Sequence, residues 1–215
     1  MKRPKVIFLD AAGTIFGVKG SVGEIYSQIA QEFGVFVPPV TINKYFFPSF
    51  KAAPPPIFPT AEIQDIPQQE FEWWRMIAWN TFTQAGVIKQ FPDFSAFFTQ
   101  LYYHFGTAEP WYVYPDVPLA LINWRRLGVE LGVLSNFDSR LYSVLQSLGL
   151  KEYFDTITIS SQAFAAKPDP KIFKLALEKH NCTPDAAWHI GDSIKDDFQG
   201  AKALGIRSIW LNRSV

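Results

Sequence analysis

Apolar residues near the start of the chain stand side by side: Val6-Ile7-Phe8-Leu9 runs unbroken between Lys5 and Asp10. A short run without alternation predicts a strand buried on both faces, as in a parallel sheet. Comparable runs recur at Glu130 to Leu134, Thr156 to Ile159, Ala187 to Ile190 and Ser208 to Leu211. Between them the spacing turns helical. Leu141, Val144, Leu145 and Leu148 share a face, with Asp138 as N-cap and Gly149 at the stop. Phe173, Ala176, Leu177 and His180 do likewise behind Pro170, a residue tolerated in a first turn. Strands alternating with helices predict an α/β fold, a Rossmann-like three-layer core around a parallel sheet.

From Gly17 to about Trp111 the strand-like runs vanish and amphipathic helices take over. The first carries Val22, Ile25, Tyr26, Ile29, Ala30 and Phe33 on one face, behind the capping-box spelling Ser21-Val22-Gly23-Glu24 and ahead of Gly34. A second carries Phe71, Trp74, Ala78 and Phe82, and a third Phe94, Phe97, Phe98, Leu101 and Phe105. Prolines crowd the stretch from Phe47 to Pro67, which predicts a loop there rather than a long helix. An all-helical insert, residues 18–112, therefore interrupts an α/β core made of residues 1–17 and 113–215.

Composition narrows the field. A 48% hydrophobic share over 215 residues can bury a core without disulfides, and Cys182 is the single cysteine. That suits a reducing compartment, so a cytoplasmic location is expected. Basic and acidic residues balance at a formal net charge of +0 with no dense Lys/Arg run, so neither nucleic acid nor an anionic membrane is an expected partner. No segment has the roughly 20 apolar residues of a membrane span, and the N-terminus lacks the apolar stretch of a secretory signal. Oligomeric state leaves no mark on the sequence.

Candidate chemistry collects at the strand ends, where open α/β sheets bind ligands. Asp10-Ala11-Ala12-Gly13-Thr14 follows the first strand, and Ser135-Asn136 ends the second, offering donors. Lys167-Pro168-Asp169-Pro170 follows the third, and Gly191-Asp192-Ser193-Ile194-Lys195-Asp196-Asp197 the fourth. Each alone has an ordinary explanation: a turn-forming Asp, a surface Lys, acids capping a helix. The specific signal is their conjunction, a nucleophile, hydroxyl and amide donors, a cation and clustered acids in this order.

In that order the sequence resembles the haloacid dehalogenase-like superfamily over nearly the whole chain, with the insert where its members carry a helical cap. Phe71-Glu72-Trp73-Trp74 and Ser135-Asn136-Phe137-Asp138 look most like the subgroup called haloacid dehalogenase-like hydrolase domain-containing protein 3. The resemblance implies a hydrolase, in the leading case a Mg²⁺-dependent phosphatase acting on a small phosphorylated metabolite through an aspartyl phosphate on Asp10. It assigns Asp10, Ser135, Asn136 and Lys167 to catalysis, with Ser135, Asn136 and Lys167 also on the substrate. It assigns the metal to Asp10, the Ala12 carbonyl, Asp192 and Asp197, with Asp196 as a substitute for the last. Mg²⁺ would offset the repulsion between a carboxylate and a phosphoryl dianion.

One position departs from the family's phosphatases, which carry a second Asp where this chain has Ala12. The missing general acid is typically worth about 10²–10⁴-fold. The substrate could have a good leaving group, a cap acid such as Glu24 or Asp65 could supply the proton, or the site could bind phosphorylated ligands without turnover. Metal-free dehalogenation also dispenses with that acid, but would leave Asp192 and Asp197 without purpose. A Schiff-base reaction would need a cap lysine, Lys44 or Lys51. Trp73, Trp74 and Trp79 are read as core aromatics, His189 as an interior histidine, His104 and His180 as helix-surface or boundary residues, and Arg125-Arg126 as a solvated helix end.

Overall fold

The computed structural model describes residues 3–213; residues 1–2 and 214–215, the outer ends of the expected core, lie outside it. The chain opens with β1 (Val6–Leu9) and a short β2 (Phe16–Val18), then passes through helices α1 (Val22–Glu32), α2 (Pro39–Ala52), α3 (Ile66–Gln84) and α4 (Phe94–His104). It returns through β3 (Trp111–Val113), α5 (Val117–Arg126), β4 (Glu130–Ser135), α6 (Leu141–Ser147) and β5 (Thr156–Ile159). The rest is a helical turn α7 (Ser160–Ala163), α8 (Pro170–Lys179), β6 (Ala187–Gly191), a π-helical turn Ile194–Gln199 running into α9 (Gly200–Ala203), and β7 (Arg207–Trp210).

Five strands form one parallel sheet in the order β5-β4-β1-β6-β7. β1 is central, and alternation along it splits the core. Ile7 and Leu9 face a cluster with Leu121, Leu141 and Val144 from α5 and α6, while Val6 and Phe8 face Ile172, Phe173 and Ala176 from α8. Burial on both faces is why the strand reads as an unbroken apolar run. The chain moves outward from β1 to β4 and β5, then crosses back to start β6 on the other side. That reversal opens a crevice beyond the carboxyl ends of β1, β4 and β6.

Helices α1 to α4 bury an aromatic-rich cluster of their own, centred on Tyr26, Phe46, Phe82 and Phe97. α1 starts as expected, with the Ser21 hydroxyl accepting from Glu24 N at 3.2 Å. The proline-rich stretch departs from expectation, because α2 continues to Ala52 with Pro48 inside it. Pro48 removes a donor, but Ile42, Phe46 and Ser49 fall on one face and are buried, so packing outweighs the local cost. The loop begins only after Ala53, and α3 then starts earlier than expected, with Pro67 in its first turn. β2 and β3, an antiparallel pair pairing Phe16 with Val113 and Val18 with Trp111, frame the two crossings between sheet and helices. Asp138 is not the N-cap of α6, whose cap position is Arg140. Among the described residues no helix is long and apolar enough to cross a membrane.

Candidate active site

Asp10 is the first residue beyond β1, fixed by its own N–H donating to Ile190 O at 2.9 Å and almost fully buried. Two donors meet its Oδ1, the Ser135 hydroxyl at 2.9 Å and the Lys167 ammonium at 2.6 Å. The same ammonium donates to Asp197 Oδ1 at 2.6 Å. Asn136 grips the Lys167 backbone at two points, its Nδ2 donating to Lys167 O at 2.9 Å and its Oδ1 accepting from Lys167 N at 2.7 Å. Asp169 then accepts from Lys171 N and starts α8, so the turn that delivers the lysine is tied at both ends.

The acids after β6 are placed by local geometry. Ser193 Oγ accepts from Asp196 N while Asp197 Oδ2 accepts from Ser193 N, a reciprocal cap that turns Asp197 inward. Two glycines make room for the acids. A Cβ on Gly191 would sit 2.1 Å from Asp197 Cγ, and one on Gly13, at φ +86°, would sit 2.5 Å from Asp192 Oδ2. Carboxylate oxygens of Asp10, Asp192 and Asp197 consequently lie within 4.8 Å of one another. Asp196 lines the same cavity but stands outside this trio. Ala12 lines the cavity beside them.

Three carboxylates lie close together and one ammonium bonds two of them, an imbalance reflected in their protonation. Burial pushes Asp10 up against the pull of Lys167. Asp192 is pushed up to about 6 by burial and by the charges of Asp10 and Asp197. Burial pushes Asp197 the same way, but Lys167 and His189 overcome it and hold that carboxyl well below the usual range. Lys167 stays charged because Asp10 and Asp197 outweigh its burial. His189 is fully buried, and burial lowers its pKa; its Nδ1 has no partner while Nε2 lies 2.8 Å from Asp197 Oδ1, which fits a neutral ring donating through Nε2. The surplus of hard oxygen donors over cations fits a divalent metal such as Mg²⁺.

Above this acidic floor lies a cavity of about 550 Å³. Its walls are mostly aromatic, including Phe46 and Phe50 from α2, Trp74 from α3 and Tyr102 from α4. The loop after Ser135 ties the floor to those helices. Trp74 Nε1 donates to Asp138 Oδ2 at 2.6 Å, and Arg140 Nη1 donates to Tyr102 O at 2.9 Å. Glu70 of α3 is fully buried and accepts from both the backbone N–H of Ser139, at 3.0 Å, and its hydroxyl. Arg140 also grips Asp138 through Nε at 2.8 Å and Nη2 at 2.6 Å.

The structure thus gathers Asp10, Ser135, Asn136, Lys167, Asp192 and Asp197 in one place. Glu24 and Asp65 are exposed and do not line the cavity; Lys44 is exposed beside Tyr45, whereas Lys51 reaches the cavity. Trp73 is core as expected, Trp74 is cavity wall instead, and Trp79 is 46% exposed. His180 is buried rather than superficial, its Nε2 2.7 Å from Thr156 Oγ1 and its Nδ1 against Glu130. Sequence reasoning missed Phe50, Glu70 and Arg140; the position of Arg140 just beyond Ser135-Asn136 was the signal available for it.

The class of protein follows from this fold and these strand ends. The chain belongs to the haloacid dehalogenase-like hydrolases, whose family profile matches residues 4–205. Within the family it is 34% identical over 210 residues to haloacid dehalogenase-like hydrolase domain-containing protein 3 of Mus musculus, covering 96% of this chain and 81% of that protein. Two solved structures share the fold. A HAD phosphatase from Thermococcus onnurineus has a TM-score of 0.66 at 22% identity, over 98% of this chain and 87% of the other. L-2-haloacid dehalogenase from Xanthobacter autotrophicus has a TM-score of 0.69 at 18% identity, over 99% and 79%. At those identities the likeness is one of fold.

Proposed function

We propose that the chain is a cytoplasmic, Mg²⁺-dependent phosphatase of a small phosphorylated metabolite, with residues 18–112 as a cap over a core of residues 1–17 and 113–215. The observation that carries this is the meeting of Asp10, Asp192 and Asp197 around a single ammonium, an arrangement short of positive charge. Asp10, the Ala12 carbonyl, Asp192 and Asp197 would hold the ion, which supplies positive charge against the phosphoryl oxygens when bound.

The chain's own residues account for the rest. Ser135 and Lys167 both occupy Asp10 Oδ1, and among the described residues none donates to Oδ2, which leaves that oxygen for attack on phosphorus. Attack forms an O–P bond to Asp10 and releases the ester oxygen; water then hydrolyses the aspartyl phosphate. Lys167 offsets charge on nucleophile and phosphoryl group, Ser135 can turn its hydroxyl to a phosphoryl oxygen, and Asn136 acts through its grip on the Lys167 backbone. No acid from residues 18–112 lines the cavity, so neither Glu24 nor Asp65 replaces the acid missing at Ala12. Leaving groups that depart without a proton are therefore favoured.

Ala12 and the apolar walls favour one second reading, displacement of halide from a 2-haloacid by Asp10 without metal. Phosphate release from acetyl phosphate and p-nitrophenyl phosphate, with and without Mg²⁺, separates the two when run beside chloride release from 2-chloropropionate. The phosphatase requires metal-dependent phosphate release that Asp10→Asn abolishes in a folded protein. Metal-independent chloride release selects the dehalogenase, and phosphate-ester binding without turnover leaves a recognition site only.

A further inference from the structure

The cavity wall has a chemistry of its own. Phe46 and Phe50 stack with centroids 6.0 Å apart and planes at 16°, and Phe50 stacks on Trp74 at 5.7 Å and 22°. The bond from Trp74 Nε1 to Asp138 pins the indole. Arg140 lies 5.3 Å from the Trp74 ring and 3.9 Å from the Tyr102 ring. Phe46, Phe50, Trp74, Tyr102 and Arg140 line the cavity, and Phe50 is still 40% exposed.

Of the two cations on this wall, the Arg140 guanidinium is held by both oxygens of Asp138, and Lys51 is exposed. A second anion on the ligand would face the acidic floor and could offset its lost hydration only at Lys51, which is exposed to water. A flat uncharged ring loses little on desolvation and gains stacking against fixed faces.

We infer that the site selects phosphate esters whose leaving group carries a flat, uncharged aromatic ring, laid against Phe50 and Trp74, with the phosphate over Asp10. The phosphate end rests on the phosphatase reading above; the ring end rests on the wall alone. Specificity is then set by Phe50 and Trp74, and compact anionic leaving groups are disfavoured.

Calorimetry with the whole chain and Mg²⁺ tests this without requiring turnover, using methylphosphonate, benzylphosphonate and phosphonoacetate. Benzylphosphonate should bind at least about tenfold tighter than methylphosphonate, the gain from covering one phenyl ring. Phosphonoacetate should bind no tighter than methylphosphonate. Phe50→Ala should cut the benzyl-to-methyl ratio to below about threefold, and Trp74→Leu should do the same, each with a cooperative melt as the fold check. Equal benzyl and methyl affinities overturn the inference, as does a preference for phosphonoacetate, which would mean that Lys51 or Arg140 takes the ligand's carboxylate. A ratio untouched by both variants, or no phosphonate binding at all, overturns it too. Metal-dependent turnover of acetyl phosphate without a benzyl preference removes the ring and keeps the phosphatase. A benzyl preference without any turnover does the opposite.

Discussion

Replacing Lys167 by Met keeps the length of the side chain and deletes the charge that Asp10 and Asp197 share. Both contacts are 2.6 Å long, and the lysine is only 4% exposed. Removing one partner from a buried ion pair typically costs about 3–5 kcal/mol, because the remaining charges stay buried without compensation. For a domain of this size each kcal/mol moves Tm by about 2–4 °C, so Lys167→Met should melt roughly 6–20 °C lower at pH 7.5 without metal. The pH dependence has a definite sign. In the native chain Asp197 titrates well below its ordinary value, so its stabilisation is present throughout the range above pH 4. Without Lys167, burial lifts both carboxyls, and a group whose folded pKa is raised gives stability back as pH falls through that pKa. The deficit should therefore shrink towards pH 5. Mg²⁺ should restore part of it, and so should Asp10→Asn placed in the same variant. Fluorescence melts at pH 5 and 7.5, with and without Mg²⁺, measure all four conditions. A variant that melts with the native protein at pH 7.5, or whose deficit is the same at both pH values, refutes the charge-sharing account.

Other substitutions probe the remaining parts. Ala12→Asp should raise phosphate release from glycerol phosphate by more than it raises release from p-nitrophenyl phosphate, up to about 10²-fold, since only the alkyl leaving group needs a proton; equal effects on both would place the proton source elsewhere. Asp192→Asn should weaken Mg²⁺ binding by more than about tenfold in calorimetry while raising the melting temperature of the metal-free chain, because it removes one of three repelling carboxylates. Unchanged affinity would exclude Asp192 as a ligand. Burial raises the pKa of Glu70, so its ionised form costs stability as pH rises through the folded value. Glu70→Gln, which keeps an acceptor for Ser139 N, should gain on the native protein between pH 5 and pH 8 in urea titrations, whereas Glu70→Ala should lose about 1–3 kcal/mol by orphaning that N–H. A Gln variant with the same pH profile as the native chain would show that Glu70 carries no buried charge.

The strand ends were readable because a strand covered on both faces leaves an unbroken apolar run, and a parallel sheet brings all such runs to one edge. Asp10 and Lys167 stand 157 positions apart, Asp10 directly after β1 and Lys167 beyond both the edge strand β5 and the turn α7, yet they meet at 2.6 Å. The cavity wall was not readable in the same way. Aromatics at helical spacing look alike whether they point into a core, as Trp73 does, or at a cavity, as Trp74 does; the packing of α2, α3 and α4 decides between them. Pro48 hid the end of α2 because local propensity says nothing about the packing that Ile42 and Phe46 provide. β2 and β3 are too short for any periodicity to show. His180 sits at a helix end where sequence suggests solvent, but Thr156 and Glu130 supply partners from neighbouring strands.

Residues 136–140 belong to two neighbourhoods at once. Asn136 steadies the floor through Lys167, while Asp138, Ser139 and Arg140 are bonded to Trp74, Glu70 and Tyr102. The bonding between the helices and the sheet therefore does not stop at the two crossings of the chain at β2 and β3. A helical insert with other side chains at positions 70 and 74 would leave Ser139 without its acceptor and Asp138 without its indole donor. An exchange of helices α1 to α4 that leaves residues 136–140 behind therefore separates Ser139 from Glu70 and Asp138 from Trp74.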